Sequence, residues 1–113
     1  MPVINMTPHA ICIIHTQAKE QKKVEIIPFS GHIARCEVQK VSAGLVEDIP
    51  IYNLTYGAVV NLPPVKTDTF YIVSNIVAQS LRNVRNDLLV PVDFVRNSQG
   101  EIIGCQGLGR LSE

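Results

Sequence analysis

Along the chain, short apolar runs are cut apart by proline, glycine, asparagine and aspartate. Alternation with period two dominates, and a single stretch shows helical spacing. Residues 10–16 (AICIIHT) read as a first strand, and the polar residues 16–23 as a solvated turn. Residues 24–29 (VEIIPF) are its hairpin partner, ended by Pro28 and Ser30-Gly31. In residues 33–41, Ala34, Cys36 and Val38 fall on one face and Arg35, Glu37 and Gln39 on the other. That pattern predicts a half-buried strand with one wet face. Residues 49–54 and 56–62 predict two further short strands, the second ended by Pro63-Pro64. Residues 70–73 (FYIV) form a compact apolar strand that runs directly into residues 74–82. There Ile76, Val77, Ser80 and Leu81 share one helical face, Ser74 is a good N-cap, and Arg82 suits the C-terminal end of the dipole. Residues 88–90 predict a short strand stopped by Pro91. Residues 94–96 and 101–105 flank Asn97-Ser98-Gln99-Gly100, a hairpin turn in which Gly100 supplies a positive φ. The expected product is an α+β, mostly β fold: a small antiparallel sheet or barrel-like domain with one short helix, built from residues 1–113 as a single domain.

Composition supports strands. Fourteen valines and thirteen isoleucines stand among 113 residues, with no tryptophan, and β-branched side chains favour the extended chain. An apolar fraction of 46% excludes a disordered chain. Ten basic residues balance ten acidic ones, which makes nucleic acid an unlikely partner, because such binding rests on excess positive charge. No apolar run approaches the length of a membrane span, and the N-terminal residues lack the basic and apolar regions of a secretory signal. The cysteines are odd in number and none lies in a C-x-x-C pair, which fits a reducing compartment and a cytoplasmic location. The Asn5-Met6-Thr7 and Asn53-Leu54-Thr55 triplets are then without consequence for glycosylation. Alternating strands with few strongly charged faces predict a homo-oligomer, a dimer or larger.

Few residues carry recognisable chemistry. Asn5-Met6-Thr7-Pro8-His9 can present Asn5, Thr7 and His9 on one side of an extended chain, or use the same groups to tie down a turn leading into a strand. His9-x-x-Cys12-x-x-His15 resembles a metal-ligand spacing, but strand alternation points Cys12 away from the histidines and no fourth ligand is paired with them. Cys12 and Cys36 sit in apolar registers and read as core residues; Cys105, among Gly104, Gly107 and Gly109, reads as more accessible, in a flexible tail. No phosphate loop, dinucleotide fingerprint or zinc-protease motif occurs, so no cofactor and no metal is expected. No matched acid, base and nucleophile set is present, and the reading leans away from an enzyme. Four of the five arginines follow residue 80. Arg85 and Arg96 lie near Asp87 and Asp93, and either pair with them or close an anion site beside Ser74 and Asn75.

The opening Asn5-Met6-Thr7-Pro8-His9 is similar to the N-[LM]-T-P-H start of small proteins from phages, prophages and bacterial mobile elements. Arg85-x-Asp87-Leu88-Leu89-Val90-Pro91 and Val95-Arg96-x-x-x-Gly100-x-Ile102-x-Gly104-Cys105 resemble the same group; residues 17–55 do not. The resemblance implies a setting, a phage in its host cell, and no reaction. In that setting the expected function is a small protein that binds an anionic small molecule through Asn5, Thr7, His9, Ser74, Asn75, Arg85 and Arg96. The ligand would be of nucleotide type, a host-defence signal that is sequestered and not turned over. The alternative is a structural or protein-interaction module.

Overall fold

A computed structural model describes residues 2–16 and 22–111. Among them the strands are β1 (Val3–Asn5), β2 (Ile11–Thr16), β3 (Lys22–Ile27), β4 (Arg35–Val46), β5 (Ile49–Val60), β6 (Phe70–Ile72), β7 (Leu88–Arg96) and β8 (Ile102–Gly109), with one helix, α1 (Asn75–Ser80). The fold is mostly β with one short helix, as the sequence predicts. The turn expected between the first two predicted strands falls largely on residues 17–21, outside the described residues.

Six strands form a mixed sheet in the order β1-β6-β7-β8-β2-β3. The β1–β6, β6–β7 and β2–β8 pairs are parallel; β7–β8 and β2–β3 are antiparallel. The sheet curls into a half-barrel, and its two outer strands meet at a parallel bridge between Asn5 and Phe29. The core fills the concavity under α1: Met6, Ala34, Tyr71, Val73, Val77, Ala78, Leu88 and Val90 are buried together. Val73 and Val77 retain no exposed surface. Ser74 caps the helix as its sequence predicts, its hydroxyl accepting from the Val77 N–H.

Four local expectations are corrected. Pro91 does not stop a strand: β7 runs through it to Arg96. The Leu89 carbonyl accepts from Val73 of the β6 side, so residue 91, two positions on, turns its nitrogen the same way, past the end of the β6 pairing. The missing N–H therefore costs no ladder bond. The glycine-rich segment is not a tail but β8. A Cβ on Gly104 would stand 2.9 Å from the Cys12 carbonyl oxygen, and one on Gly109 would stand 2.8 Å from Val92 Cγ1. These glycines let neighbouring strands approach. The predicted strands 49–54 and 56–62 are one continuous β5.

The fourth correction is the largest. The predicted half-buried strand at 33–41 holds only at its start, where Ala34 is buried and Cys36 half-buried; from residue 37 on it is exposed on both faces. β4 and β5 pair only with each other, as a separate two-stranded antiparallel sheet. They form an arm that leaves the half-barrel near Arg35 and Val60. The radius of gyration is 17.1 Å, whereas a compact domain of this length has about 13 Å.

Candidate functional site: the Arg35 cleft and the arm face

Asn5 is fully buried, and every polar group of its side chain is engaged. Its amide nitrogen donates to the carbonyls of His9 at 2.7 Å and Ile27 at 3.1 Å. Its Oδ1 accepts from the Thr7 N–H at 2.9 Å and the Thr7 hydroxyl at 2.6 Å. The Thr7 hydroxyl has the His9 carbonyl as a second acceptor at 3.0 Å. The Asn5 carbonyl accepts from Ser30 N–H. Asn5 thus clasps the two ends of the curled sheet. Of the two sequence readings of this segment, the tied turn describes the geometry of Asn5 and Thr7. His9 contributes its carbonyl, and its side chain is exposed.

Arg85 forms a two-point pair with Asp87, Nε to Oδ1 at 2.9 Å and the terminal NH2 to Oδ2 at 2.6 Å. Its remaining terminal nitrogen donates to the Pro63 carbonyl at 2.8 Å. Both side chains are largely buried. The Arg85 guanidinium, through its hydrogen bonds and its charge, holds the Asp87 carboxyl below its ordinary range against the opposing effect of burial. Arg96 does not pair with Asp93; it donates to the Gly100 carbonyl across the β7–β8 turn at 2.7 Å. Both arginines are therefore engaged within the fold, in separate places.

Part of the predicted constellation does come together. Thr7 and Ser74 line a cleft of about 370 Å³ with Pro8, Ile76, Val38 and Arg35. Asn75 is exposed at the first turn of α1. The cation at this cleft is Arg35, which the sequence reading placed on a wet strand face. No carboxylate lies within ion-pair distance of it among the described residues. Its position at the foot of the arm was hidden because alternation reports a face and not what lies across from it.

The arm joins this cleft through Val38. Residues directly opposite in an antiparallel pair share a face. Val38 opposes Tyr56, Lys40 opposes Leu54, and Ser42 opposes Tyr52. Beyond an extra residue at Ala43-Gly44, Leu45 opposes Pro50. One face therefore carries Val38, Leu45, Tyr52, Leu54 and Tyr56, each between 44% and 66% exposed. Lys40 lies over the Tyr52 ring, 4.4 Å from its centre. The i, i+2, i+4 spacing of Tyr52, Leu54 and Tyr56 is the sequence signal for this face. At the tip, Glu47 and Asp48 form a two-residue turn with φ of 49° and 65°, and neither has a cation within ion-pair distance among the described residues.

The cysteines exchange the burial expected of them. Cys105 is 2% exposed, and burial pushes its thiol up; Cys12 and Cys36 are half-buried, and all three are free thiols. His15 pairs with Glu25 at 3.2 Å. Among the described residues, no three His, Cys, Asp or Glu side chains gather as metal ligands, and no helix is long and apolar enough to cross a membrane. No family model, no curated protein and no solved structure matches this chain.

Proposed function

We propose that the protein is a structural or protein-interaction module whose working surface is the β4–β5 arm. One observation carries this reading: the arm exposes large apolar side chains on both faces, Val38, Leu45, Tyr52, Leu54 and Tyr56 on one and Val41, Val46, Ile49 and Ile51 on the other, and nothing else in the described chain covers them. Large contiguous apolar surface on a small protein marks a contact site. A two-stranded ribbon exposed on both faces is also marginal in water without a partner. Replacing residues 39–55 by an Asn-Gly turn tests the assignment. The half-barrel is expected to keep its melting temperature within a few degrees while association is lost. Unfolding of the body would mean that the arm serves the fold instead.

A second reading is favoured by Arg35. A guanidinium with no carboxylate partner among the described residues, in a cleft that Thr7 and Ser74 also line, suits an anionic small molecule, in the phage setting a nucleotide-type defence signal that is held and not turned over. Titration calorimetry with nucleotides tests it. Binding that Arg35→Ala weakens roughly ten- to a hundred-fold, as for the loss of a charge-assisted hydrogen bond, supports it. Absence of binding by any nucleotide removes it.

A further inference from the structure

We propose that a second cleft, walled by Val65, by residues 83–86 after α1 and by Arg110 and Leu111 after β8, binds a nucleoside monophosphate, with the phosphate at Arg110 and the base at Asn83 and Asn86. The proposal goes beyond both readings above, since no residue that lines this cleft lines the Arg35 cleft.

The cleft has a volume of about 590 Å³, within the range of small-molecule sites. One residue sets its charge. Arg85 lines it, but its Nε and both terminal nitrogens donate to Asp87 and the Pro63 carbonyl, so that pair forms a neutral wall. Arg110 is exposed, and among the described residues it has no carboxylate within ion-pair distance and no hydrogen-bond acceptor. Its guanidinium carbon lies 6.0 Å from the centre of the Phe70 ring. An aromatic face positions a guanidinium without consuming its N–H donors. Arg110 leaves β8 directly after Gly109, whose missing Cβ lets Val92 pack against the strand. The cation therefore stands at a fixed strand end with its donors directed to a ligand. One uncompensated guanidinium suits one anionic group, held through two parallel N–H···O bonds.

Two carboxamides belong to the same cleft. Asn83 and Asn86 are exposed, and neither side chain has a hydrogen-bond partner among the described residues. Asn83 has a backbone reason to be asparagine, a φ of 71°, which asparagine tolerates; Asn86 has none. A carboxamide donates and accepts side by side, which matches the edge of a nucleobase. Val65 and Val84 are 64% and 73% exposed and come from separate segments of the chain. A flat ring laid against them and Leu111 removes from water apolar surface that the fold leaves exposed. Phosphate, base edge and ring face are thus met by three kinds of group in one cleft, of which a bare inorganic anion would use the first alone.

Titration calorimetry of the full chain with the monophosphates of adenosine, guanosine, cytidine and uridine tests the site, with the free nucleosides and inorganic phosphate as controls. Saturable binding of at least one monophosphate is expected, tighter than that of either of its parts. Arg110→Ala is expected to weaken it roughly ten- to a hundred-fold, and Asn86→Ala by roughly two- to ten-fold. Both side chains are exposed, so the circular dichroism of the variants is expected to match the wild type. Arg35→Ala is expected to leave the affinity unchanged, which separates this site from the Arg35 cleft. Absence of binding by all four monophosphates, or binding that Arg110→Ala leaves unaltered, overturns the proposal. Binding lost in Arg35→Ala and kept in Arg110→Ala assigns the ligand to the Arg35 cleft and overturns it likewise. Inorganic phosphate bound as tightly as the nucleotide overturns the ligand class.

Discussion

Asn5 is the residue on which most of the closure converges. It joins β1 to the carbonyl that ends β3 and organises the turn that follows it. Removing its side chain takes the amide donor from the Ile27 and His9 carbonyls and the acceptor from the Thr7 N–H, and a group left unpaired in this way costs about 1–3 kcal/mol. Asn5→Ala is therefore expected to lower unfolding stability by about 2–4 kcal/mol, read from urea denaturation. Asn5→Asp should cost at least as much, because it turns an oxygen toward those carbonyls. The polar character of Asn5-x-Thr7 was legible in the sequence. Whether it served a ligand or the backbone was not, since the acceptors lie at residues 9 and 27 and only the curl of the sheet brings the latter close. Asp87 adds a pH dependence. Its carboxyl is held below the ordinary value in the fold, so the pair contributes fully above about pH 4 and is lost as pH falls through the folded value. Wild-type stability should drop on acidification below that range. Asp87→Asn should be less stable at pH 7 and lose less on acidification, measured as the urea midpoint against pH.

At the scale of elements, what the sequence makes plain is local. The helix with its Ser74 cap and the Asn97–Gly100 hairpin follow from residues next to one another. In that hairpin the Asn97 side chain accepts from the N–H groups of Gln99 and Glu101. Strand length in the arm was not plain, because the pattern divides residues 49–54 from 56–62 at Thr55. In the fold the strand runs through Thr55, which pairs with Gln39, and its irregularity falls at Gly57-Ala58, which face the single Glu37 as a bulge. The arm's second irregularity, at Ala43-Gly44, lies on the opposite strand, so the pairing at the tip returns to the register of the foot. The tip itself is costly. Both turn residues adopt the left-handed conformation, in which asparagine and glycine are at ease and glutamate is not. Glu47→Asn with Asp48→Gly is expected to slow amide hydrogen exchange in β4 and β5 by several-fold. Unchanged exchange there would mean that the turn is not under strain.

The whole molecule divides into a body with a buried core and an arm without one, and the thiols report the division. Cys105 lies in the packed sheet, while Cys36 stands at the foot of the arm. Native-state alkylation should modify Cys36 and Cys12 well before Cys105, which should react only on unfolding; mass spectrometry of partially labelled protein gives the order. That division was the least legible feature, because apolar residues at strand spacing look alike whether they face a core or open solvent. Burial is decided by what the rest of the chain brings across, and among the described residues nothing is brought to the arm beyond its foot.

The sheet order also fixes a sequence of events during synthesis. β1 pairs with β6, Val3 with Phe70, so apart from its single bridge to Phe29 β1 has no strand partner until β6 has been made. The half-barrel can close only after β7 and β8 emerge. β4 and β5, by contrast, pair across a two-residue turn and need nothing further along. On a growing chain the arm is therefore complete while the body is still open, and its exposed apolar surface is made before the domain that carries it.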